Sequence, residues 1–273
     1  MFNFLYRDID FAHKLNGHTL PSDDFKKHMH DFYELIFFVR GEVDYMIESK
    51  AKKLVPNDIL LIPAGSLHYG VADQHHEYER YVLKFPINII PESLAKELHE
   101  FSGFSGNYSF LDRYFKELDT IVDNYKPEHA YILLVNQLIR VLIDMQNNNQ
   151  KEDEGIQHNR VVAQVINYIN DNIKKNITLN DICDALHFSR AHISNEFSKV
   201  MRVTVMTYIR YKKIIAAHQK ILQGNVKVNE VAYEYGFQEY STFYRNYIKI
   251  IGKPPYDRNN SKKRYKNPIV SLN

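Results

Sequence analysis

Leu179-Asn-Asp-Ile-Cys-Asp-Ala-Leu-His-Phe188 and Val228-Asn-Glu-Val-Ala-Tyr-Glu-Tyr-Gly-Phe237 are the two stretches that decide how this chain is read. Each opens on a hydrophobe and Asn and continues with an acidic residue, a β-branched hydrophobe and a small residue. Each closes on Phe. Ile182 matches Val231 and Cys183 matches Ala232 at a spacing of 49. Past the turn, Ile193 matches Phe243 and Phe197 matches Tyr247 at a spacing of 50. One small helical unit is therefore written twice.

The unit reads as a helix-turn-helix, whose second helix enters a DNA major groove. Periodicity predicts helices over 160–174, 179–186, 190–201, 205–223, 228–235 and 241–251. Ser189 suits the N-cap of the third. Gly236 suits a left-handed C-cap after the fifth. Phe188 and Phe237 are expected to plug each turn into its core. In the first reading helix Ile193 and Phe197 face inward, leaving Ala191, His192, Ser194 and Asn195 outward. In the second Phe243 and Tyr247 face inward, leaving Tyr240, Ser241, Tyr244 and Arg245 outward. Arg can bond guanine bidentately and Asn can bond adenine, so Arg245 leads the base-contact candidates. An outward polar side chain can equally be solvated. Arg190, Lys199, Lys212, Lys213 and Lys249 are expected at phosphates, which position without specifying. The long helix 205–223 would hold the two readers about one helical turn apart, ~34 Å.

Charge supports a polyanion partner for this half alone. The chain has 273 residues and a net charge of +2. Residues 1–155 carry 16 Lys and Arg against 25 Asp and Glu, a net −9. Residues 156–273 carry 19 against 8, a net +11. Such asymmetry separates a nucleic-acid-facing part from one that is not. The longest apolar runs, 35–39 and 59–63, are too short to span a bilayer. The N-terminus has no apolar signal core, so a cytoplasmic location without membrane association is expected. Cys183 is the single cysteine. It excludes an intramolecular disulfide and reads as core packing.

The first half changes character twice. Short β-rich runs at 33–39, 43–47, 58–62 and 80–85, broken by Pro, Gly, Asn and Asp, predict an antiparallel barrel or sandwich. From about 91 to 146 the period becomes helical, with helices over 108–125 and 128–145 and Pro127 at the start of the second. That helix presents Ile132, Leu133, Leu134, Val135, Leu138, Ile139, Val141, Leu142 and Ile143. This is more apolar surface than one barrel face needs, and predicts a helix–helix dimer contact through residues 108–146. The alternative is packing on the chain's own barrel. Polar residues 146–159 then read as an exposed linker.

Residues from about 160 to 258 resemble the AraC/XylS family of transcription regulators. The resemblance rests on Ile177-Thr-Leu-Asn-Asp-Ile182, Ser189, Phe197, Tyr208-Ile209, Val231-Ala232, Gly236-Phe237, Ser241-x-Phe243-x-Arg245-x-Tyr247 and Gly252-x-Pro-Pro255. Departures are Lys213 in place of Arg, His187 in place of a hydrophobe, Arg202 in place of Gly, and Arg258 one residue early. The resemblance implies a regulator that binds double-stranded promoter DNA as a homodimer, answers a small-molecule effector such as a sugar or related metabolite, and acts with RNA polymerase as an activator.

His28-Met-His30-x3-Glu34-x6-Gly41 followed by Asn57-x5-Pro63-x-Gly65-x2-His68 resembles the two motifs of the cupin barrel, with Asn57 and Ala72 departing from it. Positions 28, 30 and 34 share parity and would line one face of an extended strand, with His68 from a partner strand. Three imidazoles and a carboxylate could hold Zn, Ni, Fe or Mn. His28, His30, Glu34 and His68 are thus candidates both for effector binding and for a divalent metal. The bland reading is a polar rim or hydrogen-bond network without metal. His75-His76 reads as an exposed loop pair.

The expectation is an α+β chain of two domains. A cupin-like sensing barrel occupies 1–105, a helical dimerisation segment 106–146 and a linker 147–158. The double helix-turn-helix domain occupies 159–260 and a basic tail 261–273. No catalytic residues and no obligatory cofactor are expected. A metal-dependent cupin enzyme with an accessory DNA-binding domain, or a barrel that only dimerises, remain as alternatives.

Overall fold

A computed structural model describes residues 2–17, 27–73, 76–98, 102–148, 157–224, 226–255 and 270–271. The strands are β1 (Phe2–Tyr6), β2 (Ile9–Asn16), β3 (His28–Met29), β4 (Tyr33–Arg40), β5 (Val43–Ile47), β6 (Lys50–Lys53), β7 (Asp58–Ile62), β8 (His68–Ala72), β9 (Tyr78–Phe85), β10 (Gly103–Asn107), β11 (Gln157–His158) and β12 (Val270–Ser271). They form two antiparallel sheets, ordered β1-β2-β9-β4-β7-β10 and β11-β6-β5-β8-β3-β12. β1 and β2 add two strands to the first sheet ahead of the β-rich runs read from the sequence.

The first sheet is buried on both faces, which explains why β4 and β7 read as continuous hydrophobic runs. Its period-2 alternation sorts residues cleanly. Leu35, Phe37, Ile59, Leu61, Tyr81 and Leu83 face the helices α2 (Asp112–Asn124) and α3 (Pro127–Asn147), which follow the short α1 (Glu92–Glu97). Ile36, Phe38, Leu60, Ile62 and Val82 face the second sheet, meeting Val43, Tyr45 and Ile47. The result is three layers: helices, sheet, sheet. The buried Lys52–Asp58 ion pair, 2.8 Å, crosses the sandwich.

Helix α3 starts with Pro127 at its first turn as expected. Its inner residues Ala130, Leu134, Leu138, Val141, Leu142 and Met145 pack on the chain's own barrel. Most of the apolar surface read as a dimer contact is therefore consumed internally. Ile132 and Ile143 remain exposed, with Val135 and Ile139 half-buried between them. The boundary drawn at 105 falls inside β10, which continues the first sheet beside β7. Much of the linker drawn at 147–158, residues 149–156, lies outside the described residues. At its end, β11 rejoins the barrel on β6. Arg258 and residues 261–269 of the basic tail also lie outside them. Val270–Ser271 of that tail pair with β3.

The C-terminal half is α4 (Arg160–Asp171), α5 (Leu179–Leu186), α6 (Arg190–Met201), α7 (Val205–Leu222), α8 (Val228–Glu234) and α9 (Tyr240–Ile251). Capping explains the boundaries. Asn159 accepts from Val162, Thr178 and Asp181 form a capping box, and Ser189 and Thr204 cap α6 and α7. Two cores result. One joins α4, α5 and α6 to Val205, Tyr208, Ile209 and Ile215 of α7. The other joins Ile214 and Ala217 of α7 to α8 and α9. Among the described residues no helix is long and apolar enough to cross a membrane.

Candidate functional site

The four residues singled out in the first half do meet, but not by the expected route. Positions 28, 30 and 34 are expected on one extended strand, with His68 from a partner strand; the partner strand is found, the single strand is not. Instead β3 ends at Met29, the chain bends at Asp31 and Phe32, and β4 begins in the other sheet. His28 pairs in register with His68 on β8. Glu34 sits on β4 between Lys84 and Ile62. The bend lets the two sheets close on one cluster. His30 and His68 are fully buried, His28 and Glu34 nearly so. One ligand-capable atom from each lies within 4.8 Å of the others.

The proton arrangement there is unusual. His30 Nδ1 donates to the Phe32 carbonyl at 2.8 Å, and His68 Nδ1 donates to the Ser66 carbonyl at 3.0 Å. A carbonyl can only accept, so both rings carry their hydrogen on Nδ1. Their Nε2 lone pairs then face Glu34 Oε2 at 2.9 and 3.3 Å, and His68 Nε2 is buried without a hydrogen-bond partner. An imidazolium would supply the missing hydrogen, but burial pushes the His30 pKa down to about 4, outweighing the support from Glu34. Burial pushes the Glu34 carboxyl up. The positive charge of the Lys84 ammonium leads what outweighs that and holds it well below its ordinary range. A neutral imidazole and an ionised carboxylate thus converge, acceptor to acceptor, in a dry site. Such a set fits a cation. Backbone-anchored Nδ1 groups are also how metal-bound imidazoles are oriented. Metal bonds of ~2.1 Å imply ligand–ligand edges of about 3.0–3.4 Å, close to the two separations seen. A further cluster, Glu42, Asp73 and His76, is exposed. His75 lies outside the described residues.

In the second half, the reading faces emerge largely as the pattern predicts. On α6, Ile193 and Phe197 are buried, while Arg190, Ala191, His192, Asn195 and Lys199 are exposed and Ser194 is half-buried. On α9, Phe243 and Tyr247 are buried, Ser241, Arg245 and Lys249 are exposed, and Tyr240 and Tyr244 are half-buried. Phe188 and Phe237 pack at the rims of their cores rather than inside them. Cys183 is half-buried against the first.

Two expected phosphate contacts are corrected. Lys213 is buried, its Nζ donating to the carbonyls of Lys175 and Tyr235, the latter at 2.8 Å. It ties the end of α8 to the loop after α4 and does not face a backbone phosphate. Burial pushes its pKa down to about 8. Lys212 turns toward the barrel, 3.5 Å from Glu48.

The sequence reading missed a set of contacts between the halves. Glu48, at a left-handed turn after β5, accepts from the Tyr208 hydroxyl at 2.6 Å. Asp31 accepts from His218 Nε2 at 3.0 Å, and the Asp31 carbonyl accepts from Gln219. His218 in turn meets the Tyr247 hydroxyl at 2.5 Å. Met29 and Leu67 of the barrel pack inside the core of α4–α7. For Met29, Asp31 and Leu67 the available signal was a one-residue offset from the motif histidines, which period-2 alternation sends to the opposite face; Glu48 carried no such signal.

Comparison with known proteins agrees with both halves. Residues 18–156 match the model of the AraC-like ligand binding domain, and residues 182–259 match a helix-turn-helix domain model. An uncharacterized HTH-type transcriptional regulator of Bacillus subtilis, YbfI, is 23% identical over 80% of this chain and 80% of its own length. The XylDLEGF operon transcriptional activator 1 of Pseudomonas putida is 22% identical over 82% of this chain and 74% of its own. A solved structure of ToxT from Vibrio cholerae covers 91% of this chain and 97% of its own, at 13% identity and a TM-score of 0.39. The family model spans more than half of this chain, and the duplicated reading unit follows it in order. The protein belongs to the AraC/XylS family of DNA-binding transcription regulators, a family of regulators and not of enzymes.

Proposed function

We propose that this regulator is a cytoplasmic, homodimeric activator whose barrel senses its effector at His28, His30, Glu34 and His68. The observation that carries the reading is the acceptor-only meeting of His30, His68 and Glu34 in a buried site. Three nitrogens and one carboxylate oxygen suit Zn²⁺, Fe²⁺ or Ni²⁺, and a bound cation would supply positive charge to the lone pairs gathered there. A hydroxyl-rich molecule such as a sugar would donate hydrogen bonds to the same acceptors.

The activator assignment is supported by the name of the Pseudomonas putida relative, an operon transcriptional activator. An activator of this kind works by contacting RNA polymerase at a promoter. Dimerisation through residues 108–146 is supported by Ile132 and Ile143, left exposed on α3 with the half-buried Val135 and Ile139 between them. DNA reading is assigned to Arg190, Ala191, His192, Ser194, Asn195, Tyr240, Ser241, Tyr244, Arg245 and Lys249, supported by their outward placement on α6 and α9.

The test is a Zn²⁺ titration of metal-free full-length protein against a chromophoric chelator, beside a thermal-shift screen of sugars. Binding of either kind that is lost in Glu34→Gln and His68→Ala supports the site. No zinc binding and no sugar-dependent stabilisation, or binding unaltered in both variants, overturns it.

A further inference from the structure

The strand segments that bring the histidines into the cluster also carry the barrel's wedge into the DNA-reading half. His28 and His30 face the cluster, while their neighbours Met29 and Asp31 face the other way. Met29 is fully buried in the core of α4–α7, and Asp31 meets His218 of α7. The second segment repeats the alternation. His68 faces the cluster, and Leu67 enters the same helical core. Gly65 donates to the His30 carbonyl at 2.7 Å and lies against Ile215 of α7. These segments have no independent position. Moving a histidine moves its neighbour in the helical core.

Two polar links extend this contact, and each ends on a reading helix. Glu48 is bonded to both the nitrogen and the carbonyl of Leu67. It accepts the Tyr208 hydroxyl, and the Tyr208 ring packs edge-on against Phe197, the inward anchor of α6, at 5.4 Å. Asp31 holds His218, and His218 holds the hydroxyl of Tyr247, the inward anchor of α9. Phe197 and Tyr247 occupy equivalent positions in the repeat. One barrel residue thus reaches the anchor of each reading helix through one residue of α7.

We infer that these contacts form a two-point latch through which occupation of the histidine cluster sets the relative placement of α6 and α9. The latch rests on the reading of that cluster as the effector site. The cluster draws its ligands from both sheets, so a ligand that tightens it pulls the 28–31 and 65–68 segments together. The latch passes that shift to α7 at Tyr208 and His218, about three turns apart. Because α7 is shared by both helical cores, the spacing of the two readers responds. Ligand and DNA then influence each other reciprocally.

The test compares full-length wild type with Tyr208→Phe/Asp31→Ala. This variant removes one hydroxyl and one carboxylate and leaves the four cluster residues and the outward reading faces intact. The probe is Zn²⁺, and the DNA is a fragment selected from a random pool by the wild type. In the wild type, zinc loading should change DNA affinity about fivefold or more, a usual scale for coupled sites. In the variant the change should fall below about twofold, with zinc affinity preserved within about twofold. A wild-type ratio near one, or a variant that answers zinc as the wild type does, overturns the latch. Absence of zinc binding in the wild type would defeat the cation reading instead. Calorimetry then judges the latch alone: one unfolding transition in the wild type should split into two in the variant. Two transitions in the wild type, or one in both proteins, overturns it.

Discussion

The two copies of the repeat make opposite demands at one equivalent position, and that supplies a stringent test of the structure. After α5, His187 takes the left-handed conformation, φ 56°. After α8, the equivalent Gly236 does the same, φ 72°. A non-glycine residue in this region costs ~1–2 kcal/mol, while glycine gives back roughly 0.5–1 kcal/mol through extra freedom of the unfolded chain. His187 is exposed, so nothing but backbone strain is at stake there. His187→Gly should therefore stabilise the DNA-reading half by about 0.5–1 kcal/mol. At Gly236 a Cβ would stand 2.7 Å from the carbonyl carbon and oxygen of Lys175 and 2.8 Å from the Lys213 ammonium. The obstruction is backbone held by the Lys213 link, so it cannot swing aside. Gly236→Ala adds an overpacking cost of ~1–3 kcal/mol to the conformational one, about 2–5 kcal/mol in all. Urea unfolding followed by circular dichroism at 222 nm reads both. A Gly236→Ala penalty under about 1 kcal/mol, or a His187→Gly protein less stable than wild type, refutes the reasoning.

Arg245→Ala should weaken binding to a selected site by ~1–3 kcal/mol and relax base preference. Asn195→Ala should cost less, and equal losses in competition gel shifts would contradict that asymmetry. Asp58→Ala leaves Lys52 buried without its carboxylate partner at 2.8 Å and should destabilise the barrel by about 3–5 kcal/mol in thermal or urea unfolding. In metal-free protein the folded pKa of His30 lies near 4, below its unfolded value of about 6.5. Its contribution is therefore complete above pH 6.5 and lost as pH falls toward 4, and the depressed Glu34 carboxyl adds loss below its ordinary range. His30→Gln should flatten the upper part of that decline, and an unchanged pH profile would count against the assignment. DNA binding should fall steeply with salt, and a salt-insensitive affinity would argue against phosphate contacts from Arg190, Lys199 and Lys249.

The helical half was legible almost residue by residue because its signals are local. Ser189 and Gly236 act within a turn of themselves, and the pairing of Ile193 with Phe197 and Phe243 with Tyr247 states which face is inward. Lys213 escaped that logic: a lysine on a helix reads as exposed, and only the approach of the Lys175 and Tyr235 carbonyls takes it inside. The barrel half was legible in composition but not in path. The motif spacing named His28, His30, Glu34 and His68, yet the common parity of 28, 30 and 34 suggested one strand where the chain in fact bends between sheets. β2 and β10 were not foreseen as strands, since they join the sheet through β9 and β7, far along the chain, and β1, which pairs with β2 in a short hairpin, was missed with them. The inner face of α3 packs on the chain's own barrel, which its apolar periodicity alone could not distinguish from a dimer contact. Apolar periodicity counts the surface to be buried without saying whose surface buries it.

The alternation of Met29 and Asp31 with His28 and His30 also bears on how such proteins can be recombined. Two domains joined by a polar segment invite exchange, sensor from one parent and reader from another. Here the cut cannot be made between them at no cost, because Met29 and Leu67 complete a helical core that includes Val162 and Tyr208. A chimera that keeps this barrel but takes a foreign α4 and α7 would leave those side chains facing an unmatched surface. A graft that carries α4 and α7 with the barrel, and exchanges only the outward faces of α6 and α9, preserves the joint and changes the target sequence alone.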